Sequence, residues 1–207
     1  GPCAFMESYS PDTVFSSIDQ QGRYAFGNQP AMLGWNLARL AESLVPLFDA
    51  DINAGVDFAQ DTINGFQEKF ASQRRSDLAS ALDTSTEVAS AYFTAMQLYR
   101  PDITLAHRAL ADAARGRTLP AQELFADTDF MDSYLATHPS PDAVDAAMPR
   151  VIPRHMAVEA ALRAAEAGDM QPFTDLLHAA THPWQPNPSY EQPDPDGLAG
   201  FLTYCGT

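Results

Sequence analysis

The chain has 207 residues, enough to bury a sizeable core, and carries 12 Lys and Arg against 27 Asp and Glu, a formal charge of −15. That balance argues against a nucleic-acid backbone or an anionic membrane surface as partner, and no stretch approaches the roughly 20 continuous apolar residues of a membrane span. Neither a basic flank nor a long apolar run marks the N-terminus as a signal peptide, so the expected location is cytoplasmic.

In chain order, residues 1–28 mix aromatic, Gly, Pro, Ser and Asp without a helical period and read as irregular. Asn28 is placed to cap a helix and Pro30 suits its first turn. Leu33, Leu37, Leu40, Leu44 and Leu47 then recur at helical spacing, with the helix expected to end near Pro46. A second helix is expected over 53–72, with Val56, Ala59, Ile63, Phe66 and Phe70 on one stripe and Gly65 weakening it. Further helices are expected at 77–83, 85–99, 102–115, 119–137 with a break near Asp127, and 141–148. Thr84 or Ser85 is placed to cap the second of these, and Asp102 after Pro101 is an entry signal for the third. The next helix covers 154–167 and stops at Gly168, where a C-cap glycine belongs, and a shorter one runs through Phe173, Leu176 and Leu177. No strand is expected. From Pro183 the prolines at 183, 186, 188, 193 and 195 predict an extended tail, pinned to the body by Trp184, Tyr190, Phe201 and Tyr204. The fold class is therefore mainly α, read as a single helical domain over 1–207: an irregular stretch 1–28, a helical body 29–182 and a tail 183–207.

Few side chains suggest chemistry. His178 and His182 stand four apart at a helix end, half of a metal site at most; without a third ligand, capping of the last carbonyls accounts for them. His107, beside Arg108, reads as a surface or packing residue. The pairs Asp49/Asp51 and Asp127/Asp129 could hold a cation, but both fall at helix boundaries where aspartate caps. Neither a glycine-rich phosphate loop nor a nucleophile elbow is present. Cys3 and Cys205 are too few for a disulfide scaffold and lack the spacing of a zinc site, and free thiols in a reducing compartment suit them.

The informative pattern is the order of short motifs. Gly-Pro-Cys-Ala-Phe-Met-Glu-Ser-Tyr-Ser-Pro at 1–11 is followed by Asp19, Gly22-Arg23-Tyr24, Asn28-Gln29-Pro30, Trp35-Asn36-Leu37 and Leu40-Ala41. Toward the other end come Ile152-Pro153-Arg154, Val158-Glu159-Ala160, Gly168-Asp169, Leu176-Leu177, Pro183-Trp184 and Cys205. This series resembles the C-terminal part of the selenoprotein O family of kinase-like protein adenylyltransferases. The block 1–48 is specific, whereas about 73–148 is compatible only in helical content.

The resemblance implies the helical C-terminal lobe of a protein-kinase-like fold, with 1–28 as the activation-segment equivalent. It also implies transfer of AMP from ATP to hydroxyl side chains of proteins, with Mg or Mn, by an intact protein whose nucleotide-binding region precedes these residues. The family's metal-binding aspartate belongs to an Asp-Tyr-Gly-Pro motif and would fall two positions before Gly1. No catalytic, cofactor-binding or metal-binding residue is therefore assigned here, and no ATP binding is expected of this chain alone. The implied partners are the upstream nucleotide-binding region and protein substrates. Some members pair an activation-segment cysteine with the C-terminal one; the corresponding position here is Phe15, which leaves Cys3 as a possible redox partner for Cys205. Arg154 is a possible structural bridge from the last helices to the activation segment, or else a surface arginine at a helix start. Two other readings stand beside this one: a non-catalytic helical interaction module, and a metal-dependent hydrolase built on the acidic and histidine pairs.

Overall fold

A computed structural model describes residues 5–126 and 128–194. The irregular stretch runs from Phe5 to a 3-10 turn at Phe26–Asn28. Among the described residues eleven helices follow: α1 Gln29–Phe48, α2 Ile52–Asn64, α3 Phe66–Ala81, α4 Thr86–Tyr99, α5 Ile103–Ala114, α6 Leu119–Leu124, α7 Thr128–Leu135, α8 Pro141–Ala147, α9 His155–Glu166, α10 Gln171–Thr181 and α11 Pro188–Glu191. Among the described residues there is no strand, only an isolated bridge between Ser8 and Asp102. The chain is mainly helical, as the periodicity predicts.

The core gathers around α5. Its Ala106, Ala109 and Ala113 are buried beside Leu110, and these small alanine side chains let α6 and α8 approach closely. Tyr92 and Met96 of α4, Phe125 after α6, and Phe130 and Tyr134 of α7 complete one aromatic-rich cluster. Tyr92, Phe125 and Phe130 meet pairwise at 5.6–5.9 Å between ring centres. Local signals set the helix starts. The Ser85 hydroxyl accepts from Val88 N, Asp102 from Leu105 N and Ser140 from Ala143 N. Gly168 sits at φ +92° just past α9, where the N–H of Asp169 reaches back to the Ala164 carbonyl.

Several boundaries differ from the sequence expectation. α1 continues past Pro46 to Phe48, because Phe48 packs against Phe58 of α2 at 5.3 Å and the reversal comes only after that contact. The helix expected over 53–72 divides at Gly65, and its second part continues without a stop through 77–81 as α3. No cap or breaker separates 72 from 77, so the two expected helices are one. Asn28 holds the N-cap position of α1 as expected, but its side chain makes no capping hydrogen bond; its amide donates to the Gly22 carbonyl instead. The tail contains the helical turn α11, and Trp184 Nε1 donates to the Ala146 carbonyl at 3.1 Å. Asp127, Phe201 and Tyr204 lie outside the described residues.

α1 and α2 form an antiparallel pair that approaches very closely at Gly55, where a Cβ would stand 2.8 Å from the Val45 carbonyl oxygen. None of α1 is buried, and its row Leu33, Leu40 and Leu47 is 44%, 54% and 79% exposed. The stripe that announces the helix in the sequence therefore has no complete cover in this structure. No helix among the described residues is long and apolar enough to cross a membrane.

Candidate functional site

The buried polar centre of the molecule forms where three distant segments meet. Residues Glu7–Tyr9 run alongside Pro101–Ile103: Tyr9 N donates to the Pro101 carbonyl at 2.9 Å and Ile103 N to the Glu7 carbonyl at 2.8 Å. The third segment is anchored by buried Val151 and Ile152, and the N–H groups of Arg150 and Val151 both donate to the Pro183 carbonyl. This places Arg154 at the N-cap of α9 with extended backbone, φ −69° and ψ 141°. Its side chain is 4% exposed.

The Arg154 guanidinium donates to Asp102 at 2.7 Å, Glu7 at 3.2 Å, Thr104 Oγ1 at 3.0 Å and the Glu191 carbonyl at 2.9 Å. The planar fork of arginine suits this role, since one rigid group serves several acceptors in fixed directions. Asp102 caps α5 and accepts from the Thr104 hydroxyl at 2.8 Å as well. Glu7 accepts twice from His155, from the backbone N–H and from ring Nδ1, each at 2.8 Å. A carboxylate can only accept, so Nδ1 carries a proton. Phe15 stacks on the His155 ring at 5.7 Å and 11°. Burial opposes the Arg154 charge, but the Asp102 and Glu7 carboxylates outweigh it and hold the guanidinium pKa above its ordinary value.

A second carboxylate centre adjoins the first. Glu191 pairs with Arg108 and, at 3.2 Å, with Arg150, and accepts from Asn187 N at 2.8 Å. Three guanidiniums thus face three carboxylates, which keeps the cluster balanced where water is scarce. The arrangement can fix the irregular stretch, the start of α5, the start of α9 and α11 relative to one another.

Burial pushes the Glu191 carboxyl up, yet the Asn187 N–H and the Arg150 and Arg108 guanidiniums overcome that and hold it below the usual glutamate value. A depressed folded-state pKa gives stability that is present above the unfolded value of about 4.3 and lost as pH falls through the folded one. Glu191→Gln is expected to cost about 1.5–3 kcal/mol at pH 7, the range for hydrogen bonds to charged groups. In urea titrations the gap from wild type should close below about pH 4. A gap unchanged down to pH 3 would mean that the carboxylate charge is not what Glu191 contributes.

The other sequence candidates lie apart from this centre. His107 is buried and its Nε2 donates to the Val144 carbonyl at 2.8 Å, tying α5 to α8. Burial outweighs the Val144 carbonyl and Asp145 and lowers its pKa, which keeps the ring neutral. The rings of His178 and His182 stack 4.4 Å apart at the end of α10, and His182 Nδ1 bonds the His178 carbonyl at 2.9 Å. Asp49 accepts from Asp51 N, and Asp51 caps α2. Asp129 is in the first turn of α7. Cys3, Cys205 and Asp127 lie outside the described residues. Among the described residues no three His, Cys, Asp or Glu side chains are grouped so as to hold a metal ion. The described residues thus offer no ready ligand set for a metal–triphosphate group. Sequence reasoning singled out Arg154 but missed Glu7 and Glu191 as its partners and His155 as the partner of Glu7. Asp102 stood out only as a helix cap; nothing local in a sequence marks a pair 147 residues apart.

The family described as Protein adenylyltransferase SelO matches residues 1–110, more than half of the chain. The chain belongs to the SelO family. It is 42% identical over its whole length to the protein nucleotidyltransferase YdiU of Mycobacterium sp. strain KMS, covering 46% of that protein. It is 41% identical to the YdiU of Mycolicibacterium paratuberculosis, again with 46% covered, and 40% identical to that of Rhodopseudomonas palustris strain BisB5, with 47% covered. The chain thus spans about half the length of the curated relatives it matches and corresponds to roughly their C-terminal half. In this SelO-family chain the Arg154 cluster joins Glu7, inside the matched residues, to α9 and α11, beyond them.

Proposed function

We propose that this chain is the helical C-terminal portion of a kinase-like protein adenylyltransferase, which transfers AMP from ATP to hydroxyl side chains of other proteins in the cytoplasm. ATP and Mg or Mn would be held by residues upstream of this chain. In this reading 1–207 form one unit, with 1–28 as the activation-segment equivalent, 29–182 as the helical body and 183–207 as the tail. Family membership over residues 1–110 carries the reading. The exposed Leu33, Leu40 and Leu47 row supports it against a stand-alone interaction module, which would be expected to cover so regular an apolar row itself.

The role this gives the buried centre is positional. Arg154, Glu7 and His155 would hold the activation-segment equivalent in one conformation, while Phe15 stacks on His155 where some relatives are expected to carry a cysteine. A Cys3–Cys205 disulfide remains a separate proposal, which reducing-agent-dependent gel mobility tests; unchanged mobility would sink it.

The function is tested by calorimetry of ATP with magnesium or manganese, on this chain and on the protein extended upstream through its nucleotide-binding region. Binding only by the extended protein, with AMP transfer to protein hydroxyls, is the expected result. Binding by the short chain would overturn the placement of the nucleotide site, and an extended protein that binds ATP but transfers phosphate would overturn the reaction.

A further inference from the structure

The cations of this acidic chain are distributed unevenly. Of the 12 Lys and Arg, eight arginines have a carboxylate within 4.0 Å. The other four have none among the described residues. Arg23 lies over the Trp35 ring at 5.1 Å, while Lys69, Arg74 and Arg75 all belong to α3. Beside them, between α3 and α4, is an open cleft of about 430 Å³ that extends to Pro30 at the start of α1. Phe70, Leu78 and Phe93 supply apolar surface, Arg74 and Arg75 supply charge, and among the described residues no Asp or Glu lines it, although the chain holds 27.

The Arg74 guanidinium is already oriented, with its central carbon 4.1 Å from the centre of the half-buried Phe93 ring. Stacking on an aromatic face leaves the in-plane N–H donors free for an acceptor and reduces the side-chain entropy lost on binding one. Arg75, next in sequence, is exposed. Phe93 also meets Tyr9 edge-to-face at 5.7 Å, which links the cleft to the irregular N-terminal stretch. Two guanidiniums without a carboxylate partner among the described residues, beside apolar surface in an open groove between helices, match a polypeptide that presents carboxylates next to apolar side chains. The net charge of −15 opposes such a partner at long range, but at physiological salt the Debye length is about 8 Å, so the adjacent arginines dominate.

We propose that the α3–α4 cleft docks an acidic, apolar-containing segment of a protein partner. Identifying that partner as the protein that receives AMP rests on the adenylyltransferase reading; the docking itself does not. Carboxylates engage Arg74 and Arg75, and an apolar side chain enters between Phe70, Leu78 and Phe93.

The test is fluorescence anisotropy with a labelled peptide of alternating Glu and Leu, and a Lys and Leu peptide as control, on this chain and on the full-length protein without nucleotide. Saturable binding of the Glu peptide to both is expected. The double variant Arg74→Glu/Arg75→Glu should weaken it at least about tenfold, as for close charge pairs at interfaces, with an unchanged unfolding midpoint. Arg163→Glu, at an exposed site on α9, should leave it unchanged. With a protein acceptor, the double variant of the full-length enzyme should raise KM with kcat preserved, the sign of lost uniform binding. Equal binding by the double variant would overturn the proposal. Binding by this chain but not by the full-length protein would assign the cleft to the upstream half, and displacement by magnesium–ATP would assign it to a nucleotide; either also overturns it. An enzyme that docks the peptide yet transfers no AMP would sink the proposed function and leave the docking site standing.

Discussion

Arg154→Ala is expected to destabilise the chain by about 3–5 kcal/mol, because it strands the Glu7 and Asp102 carboxylates in a buried site without their counter-charge. The cost is the desolvation of two acids, not the intrinsic worth of the pairs. Arg154→Lys keeps a charge but cannot reach Asp102, Glu7, Thr104 and the Glu191 carbonyl from one planar group, so it should recover only part of the loss. The triple variant Glu7→Gln/Asp102→Asn/Arg154→Met should be more stable than Arg154→Ala, since it removes the stranded charges together with their partner. Urea unfolding of the three proteins checks this order. A loss below about 1 kcal/mol for Arg154→Ala, the scale of a surface pair, would mean that water reaches the cluster. In the full-length protein, Arg154→Ala should lower AMP transfer while ATP affinity is retained, if the centre positions the activation-segment equivalent.

Phe125→Ala should cost a similar amount, about 3–5 kcal/mol, by the loss of transferred area and the cavity left behind. Phe125 is 1% exposed and touches Tyr92, Tyr99 and Phe130 edge-on, so three rings lose a neighbour at once. It lies in the short connection after α6, and the surrounding helices cannot close over the gap without moving α7. Phe125→Leu should cost less, since it keeps most of the buried volume. Thermal and urea unfolding measure both, and an unchanged midpoint for Phe125→Ala would show that the cluster around α5 is not the main core.

Much of the helical layout is legible in the sequence because its causes are local. Ser85 and Asp102 cap where their side chains can reach the next turn, and Gly168 ends α9 through its own backbone freedom. The errors arose where a contact beyond the local window decided the outcome. Phe48 meets Phe58 and carries α1 past Pro46, and Asn28 at the N-cap turns its amide to the Gly22 carbonyl and makes no capping hydrogen bond. The leucine stripe of α1 was readable as a helix face, but a stripe does not say what covers it.

The sequence by itself determined that this chain is acidic and mainly helical, and its motif order at 1–48 and 152–184 identified the family. Those properties follow from residue type and short spacing, which act over a turn or two of helix. Tertiary structure alone decided that Arg154 meets Glu7 across 147 positions, that Glu191 closes the cluster from α11, and that Arg74 and Arg75 stand beside a cleft with no carboxylate among the described residues. Electrostatic partners are chosen by which segments the packing brings together. Burial then makes each such meeting consequential, because a charge removed from water must find its counter-charge wherever in the chain it lies.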